Sequence, residues 1–224
     1  MDEKPVLKRT EEGLALSWNG MELRGDLKAL LPRTGPGRLR GEMIVKAAKY
    51  DRLYKGDELT VLDATAGLGE DAFLLAAAGF RVLMYERDPL IFSLLEDSLN
   101  RAFSDPLTSE IAGRMEAVHG DSVQAMIEMS WDSRNGQKTP DIIYLDPMFP
   151  ARTKSGLIKK KFQILQQLEA PETDGLALIN AAIGASPRRI IVKRPVKAAY
   201  LGDVRPNYSI NGDVIRYDCI IIRP

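Results

Sequence analysis

The sequence predicts an α/β protein built on a doubly wound, mostly parallel sheet that ends in an antiparallel hairpin. Three observations carry this. From Leu59 to Lys193, short apolar runs alternate with stretches of helical spacing, the pattern of parallel strands joined by crossover helices. The alternation then stops, and two strand-like runs flank Asn211-Gly212, a dipeptide suited to a tight turn. Finally, Gly67-Leu68-Gly69 joins the first strand of the series to its helix, the place where such sheets bind ligands.

The first fifty residues read as an extension. Leu14 to Trp18, Asn19-Gly20 and Met21 to Leu23 predict a β-hairpin with a type I′ turn. Thr34 to Gly37 reads as a loop, and Leu39 to Tyr50 has helical spacing through Met43 and Ala47. The series then opens with strand Leu59–Asp63 and helix Asp71–Ala78, closed by Gly79. Strand Arg81–Glu86 follows, then helix Pro89–Phe103 with proline in its first turn, strand Met115–His119 and helix Ser122–Met129. A polar loop from Trp131 to Pro140 leads to Asp141–Leu145, whose unbroken apolar run predicts a strand buried on both faces. Residues 155–169 and 174–184 read as helices, Arg189–Lys193 as the fifth strand, and Tyr208–Ile210 with Val214–Ile222 as the closing hairpin. The expected division is an extension over residues 1–50 and a main domain over 51–224.

A chain of 224 residues, 45% apolar and 28% charged, can bury a full core without disulfides, which excludes a disordered chain and a disulfide scaffold. Cys219 has no partner for an internal bridge and is expected as an inert buried thiol. With a single histidine beside it, no metal site is expected. The charged N-terminus lacks a signal-peptide core and no apolar run is long enough to span a bilayer, so a soluble cytoplasmic protein is expected. Net charge is zero, yet residues 151–205 hold eleven Lys or Arg against four Asp or Glu. A neutral average here hides a basic segment, which suits a polyanionic partner or a solvated helix face.

The strongest local signal is Asp63-Ala64-Thr65-Ala66-Gly67-Leu68-Gly69-Glu70-Asp71-Ala72, a G-x-G-x-x-A turn between strand and helix. Glu86 ends the next strand, 23 residues after Asp63, where a carboxylate can accept from both hydroxyls of a ribose. NAD and S-adenosylmethionine both fit that frame. Asp63, Glu70 and Asp71 would repel a pyrophosphate and attract an ammonium and a sulfonium, which favours S-adenosylmethionine. At the third strand end, Asp121 can accept from the exocyclic amine of an adenine and Ser122 can cap the next helix. His119 is expected in a structural role rather than as a proton shuttle.

Asp146-Pro147-Met148-Phe149-Pro150 follows the fourth strand as a stiff loop. An exocyclic amine on a base is a poor nucleophile because its lone pair is delocalised into the ring. Asp146 and a loop carbonyl at Pro147 can accept its N–H bonds and favour a pyramidal nitrogen, while Phe149 stacks on a base held out of its helix.

These motifs together resemble the class I S-adenosylmethionine-dependent methyltransferases, with their Rossmann-like sheet. More closely, Arg40-Gly41-Glu42, the run Leu62 to Gly69, Tyr85-Glu86-Arg87, Tyr144 to Pro150 and Val192-Lys193-Arg194-Pro195 resemble the bacterial RsmJ-type family. The resemblance runs from about Gly35 to the C-terminus. It implies methylation of N2 of a guanine in 16S ribosomal RNA, releasing S-adenosylhomocysteine. It also implies cofactor contacts at Asp71, Glu86, Arg87, Ser122 and Asp146, beside Asp63, Gly67, Gly69, Glu70 and Asp121. Glu70 stands where that family usually has arginine, and Asp121 where it usually has serine. Arg152, Lys154, Lys159, Lys160, Lys193 and Arg194 are then expected to meet RNA phosphates at the substrate rim, with Arg188, Arg189 and Lys197 near them. The residues leave open another amine acceptor (adenine N6, cytosine N4 or a protein glutamine), an NAD-dependent oxidoreductase and a non-catalytic RNA-binding module.

Overall fold

The computed structural model describes residues 4–49, 59–134, 139–147 and 175–222. The expected helix over 155–169 and the boundary at residue 50 lie outside the described residues.

Seven strands form the main sheet: β4 (Thr60–Asp63), β5 (Arg81–Glu86), β6 (Met115–His119), β7 (Ile142–Leu145), β8 (Arg189–Pro195), β9 (Tyr208–Asn211) and β10 (Ile215–Ile221). Their order is β6-β5-β4-β7-β8-β10-β9, parallel from β6 through β8 and antiparallel at β10 and β9. The order reverses between β4 and β7, so a crevice opens outside their carboxyl ends, the usual ligand position in such a sheet. All four residues of β7 are buried, as its apolar run requires.

Both faces of the sheet are covered. On one lie α3 (Met43–Ala48) and α4 (Glu70–Ala77), whose Ile44, Val45, Phe73 and Leu74 pack on Val61, Val82 and Tyr144. On the other, Leu178 and Ile179 of α8 (Gly175–Gly184) and Met126 of α7 (Ser122–Arg134) pack on Leu62, Ile143 and Ile190. No helix among the described residues is long and apolar enough to cross a membrane.

The Asn19-Gly20 hairpin forms as expected, both residues taking positive φ (48° and 69°). It gains an outer strand that the sequence reading lacks. β1 (Val6–Thr10) pairs with β2 (Gly13–Trp18), which pairs with β3 (Met21–Leu23). β1 is exposed on most of its length and so carries little apolar pattern. Leu16 and Leu23 pack on Ile91 and Leu94 of α5 (Pro89–Ser104), while Asp97 accepts from the Leu14 N–H (3.0 Å) and the Arg101 Nε–H (2.8 Å).

Other departures are local. The expected loop at Thr34–Gly37 is instead two helical turns, α1 (Leu31–Thr34) and α2 (Pro36–Gly41), because Pro36 starts a turn with its φ already set. The expected helix from Leu39 breaks at Glu42 (ψ 129°), whose carboxylate grips the Arg33 guanidinium in a fork (2.8 and 2.7 Å). A four-residue helix, α6 (Ser109–Ala112), was too short to show in the pattern, and α7 runs to Arg134 rather than ending at Met129.

Candidate active site

Two left-handed glycines wind the turn after β4, Gly67 (φ 54°) and Gly69 (φ 76°). They face different surroundings. A Cβ on Gly69 would sit 2.7 Å from the Leu95 Cδ1, whereas at Gly67 nothing lies within 4 Å. Gly69 is therefore a packing glycine, and Gly67 borders open space. Glu86 is buried and braces the turn: Oε2 accepts from the Gly67 N–H (2.9 Å) and Oε1 from the Asp88 N–H (2.8 Å). Burial raises its pKa, and those N–H donors oppose the rise. Each carboxylate oxygen keeps a further lone pair for a hydroxyl.

At the reversal point the sheet gathers three carboxylates. Asp63 pairs in register with Tyr144 across β4 and β7 and is 1% exposed. Burial pushes its carboxyl up to about 8, against the Thr65 N–H that donates to Oδ1 (3.1 Å). The Thr65 hydroxyl accepts from the Asp146 N–H (2.6 Å), fastening the glycine turn to the loop after β7. The Asp71 Oδ2, at the start of α4, accepts from the Tyr144 hydroxyl (2.6 Å) and the Lys193 Nζ (2.7 Å). The same Nζ donates to Asp146 Oδ2 at 2.9 Å. Burial opposes the Lys193 charge, but Asp146 and Asp71 outweigh it and hold its pKa above that of ordinary lysine. Burial raises Asp146 and Lys193 works against that rise. Asp146 has 38% of its side chain exposed and so faces the crevice.

Asp63, Gly67, Gly69, Asp71, Glu86, Asp146 and Pro147 thus share one end of the sheet with the loop at Asp121 and Ser122. The helix cap expected at Ser122 is supplied by Asp121, whose Oδ1 accepts from the Val123 N–H (2.8 Å); Ser122 is buried behind it. Glu70 and Arg87 are exposed. His119 stacks on Phe92 with Nε2 3.2 Å from the Arg87 carbonyl, a structural setting. Cys219 is fully buried, and burial raises its thiol. Phe149, Arg152, Lys154, Lys159 and Lys160 lie outside the described residues.

Two expected phosphate contacts need correction. Lys193 turns inward to Asp71 and Asp146, and Arg194 is 5% exposed with Nε and Nη2 donating to the Ala199 carbonyl (3.0 and 2.6 Å). Arg188 and Arg189 stand at the opposite end of β8, where Arg188 pairs with Asp141 (3.5 Å) and buried Arg189 donates to the Ala47 carbonyl. A charged residue at a strand end is drawn to whatever carboxylate or free carbonyl the next turn presents, and composition does not show which. Sequence reasoning missed Thr65 and Tyr144 as parts of the site. The only signal was their position inside the two motifs.

The cluster suits a ligand with a cation at one end and hydroxyls at the other. A pyrophosphate at the turn would meet the Asp71 charge and gain nothing from Asp63, which burial keeps protonated near neutral pH. An ammonium can displace the Asp63 proton and pair with the carboxylate left behind.

Comparison with known proteins agrees with this chemistry. The model of the SAM-dependent methyltransferase family SAM_MT matches residues 11–222, so the likeness reaches through most of the N-terminal sheet rather than starting near Gly35. The chain is 41% identical to ribosomal RNA small subunit methyltransferase J of Pseudomonas aeruginosa (strain UCBPP-PA14), over 93% of this chain and 78% of that protein. It is 37% identical to the protein of the same name from Pseudomonas fluorescens, over 97% of this chain and 82% of the relative. The crystal structure of a SAM-dependent methyltransferase from Neisseria gonorrhoeae superposes with a TM-score of 0.71 and 27% identity, covering 96% of this chain and 82% of that one. The rRNA methyltransferase AviRa of Streptomyces viridochromogenes shares the fold at 16% identity (TM-score 0.54, 84% and 85% covered).

Proposed function

Because the chain belongs to the SAM-dependent methyltransferase family, we propose that it carries a methyl group to the exocyclic N2 of a guanine in 16S ribosomal RNA, acting in the cytoplasm. The observation that supports this most is the meeting of Asp146, on the loop after β7, with the glycine turn after β4 that carries the Asp63 carboxyl. S-adenosylmethionine, when bound, supplies an electrophilic methyl group on a sulfonium. The residues present fit that group. Asp63 would take its ammonium, Gly67 would let the backbone come close, Glu86 would receive ribose hydroxyls, and the loop at Asp121 and Ser122 would border the adenine. Glu70 and Arg87 are exposed, next in the chain to Gly69 and Glu86, and would border the cofactor from the surface.

Asp146 accepts an N–H of the target amine and so favours the pyramidal nitrogen that reacts. Transfer would break the methyl–sulfur bond as the N–C bond forms and release S-adenosylhomocysteine. The amine proton would pass to the Asp146 carboxylate and on to water through its exposed side. Pro147 restricts the backbone of Asp146 before it, and Phe149 would stack on the base. Holding base and methyl group in line supplies much of the rate. The basic residues Arg152, Lys154, Lys159 and Lys160 would draw the phosphate backbone to the rim.

The test is transfer of labelled methyl from S-adenosylmethionine to ribosomal RNA lacking its native modifications, naked or in small subunits, followed by digestion to nucleosides. Label in N2-methylguanosine is expected. Label in another nucleoside overturns the target, and cofactor binding without label overturns the RNA reading.

A further inference from the structure

Lys193 was expected at the RNA rim, and its place in the structure asks for a different role. Its Nζ sits between two carboxylates, 2.7 Å from Asp71 Oδ2 and 2.9 Å from Asp146 Oδ2. Asp71 is itself held by the Tyr144 hydroxyl at 2.6 Å, and Tyr144 is fully buried. The chain of contacts Tyr144–Asp71–Lys193–Asp146 joins β7, α4, β8 and the loop after β7. One end is locked in the core and the other reaches the crevice, since only Asp146 has a large exposed fraction, 38% against 18% and 23% for Asp71 and Lys193.

We infer that Lys193 is a positioning residue of the methyl-transfer site, holding the Asp146 carboxylate ionised and aimed at the incoming amine through a clamp shared with Asp71 and Tyr144. This rests on the assignment of Asp146 to the amine. A carboxylate there must be unprotonated to accept the amine N–H and then its proton. The charged and titratable groups around it are Lys193 from β8, Asp71 from α4, Asp63 from β4, and Tyr144 and Tyr217 from β7 and β10. Among the described residues Lys193 is the positive charge that touches Asp146, so its removal leaves Asp146 beside Asp71 without that opposing charge. Asp71 then disfavours the ionised form of Asp146. Burial raises Asp146 already, and Lys193 opposes that rise.

The experiment compares Lys193→Met, Lys193→Arg and Asp71→Asn with the wild type, at saturating S-adenosylmethionine, across pH 6 to 9. Lys193→Met is expected to lower kcat at pH 7 by roughly ten- to a hundredfold, to move the acid limb of kcat at least one unit alkaline, and to recover at pH 9. Lys193→Arg keeps the charge and is expected to keep the limb in place. Asp71→Asn removes a negative neighbour and is expected to move the limb the other way. Carbon-13 titration of the Asp146 carboxyl, read without any substrate, should show the same opposite shifts. A Lys193→Met enzyme that is slower with an unmoved limb and an unmoved carboxyl titration overturns the inference, as do shifts of one sign in both variants. If the wild type methylates no RNA at any pH, the function reading fails, and the carboxyl titration still decides the clamp. Should Lys193→Met not fold, the Asp71→Asn titration alone decides: a downward shift supports the clamp and an unmoved one overturns it.

Discussion

Alanine at Gly67 and at Gly69 separates what the turn does for the fold from what it does for the ligand. Both glycines have left-handed φ, 54° and 76°, so either alanine carries a backbone cost of about 1–2 kcal/mol. Only Gly69 adds a clash, because its Cβ would lie 2.7 Å from Leu95 Cδ1 and 3.4 Å from the Met84 sulfur. Both of those side chains are fully buried, so relief requires repacking of the core at about 1–3 kcal/mol more. The sum for Gly69→Ala is about 3 kcal/mol, which in a domain of this size lowers Tm by roughly 6–12 °C. Gly67→Ala should lose about half of that or less, yet its methyl projects into the space beside the cofactor turn and should weaken S-adenosylmethionine binding at least tenfold, or about 1.4 kcal/mol. Scanning calorimetry measures the first effect. Isothermal titration at 15 °C, where both variants stay folded, measures the second. Equal Tm losses, or wild-type affinity in Gly67→Ala, would refute the division of labour.

Three other expectations follow from the same geometry. With the Asp63 carboxyl at about 8 it holds a proton at neutral pH, so a bound ammonium must displace that proton. Affinity for S-adenosylmethionine should therefore rise with pH up to about 8, by up to tenfold per unit, with proton release in calorimetry that Asp63→Asn abolishes; a flat profile sinks the idea. The same shift acts on folding with the opposite sense: the native state keeps a proton that the unfolded chain has lost, so this group favours folding less as pH climbs from about 4 towards 8. Asp146→Asn should cut kcat by about a hundredfold or more while leaving cofactor affinity within a few fold, and a near-normal kcat in single-turnover assays would remove Asp146 from the mechanism. Arg216→Met should destabilise by about 3–5 kcal/mol in urea titration, because the buried guanidinium binds Asp218 and the carbonyls of Pro195, Val196 and Ala198, and the Ser209 hydroxyl on Asp218 carries no charge to replace it; a loss below about 1 kcal/mol would contradict that.

Much of this molecule is written locally. β5 and β6 fall on the residues their apolar runs mark, and β7 is buried on both faces as its composition demands. Gly79 ends α4 in a left-handed conformation (φ 100°), and Asn19-Gly20 turns the first hairpin. These features rest on spacing, turn chemistry and capping, which act over a few residues and survive in the bare sequence. Elements with little burial or little length, β1 and α6, left no such trace.

The glycine turn, Glu86 at the end of β5 and Asp146 after β7 come together at one end of the sheet because each stands at the carboxyl end of a parallel strand, and that placement was legible too. Partners were not. Lys193 and Arg194 are adjacent in the sequence and both basic, yet one bridges two acids while the other seals the carbonyl of Ala199. Thr65 and Tyr144 become parts of the site only because β4 and β7 lie side by side at the reversal of strand order. Sequence determines which groups arrive at the crevice, since strand and turn propensities are local. Which charge faces which is settled by the register of distant strands, and a side chain at the end of a strand goes to the nearest group that relieves its desolvation.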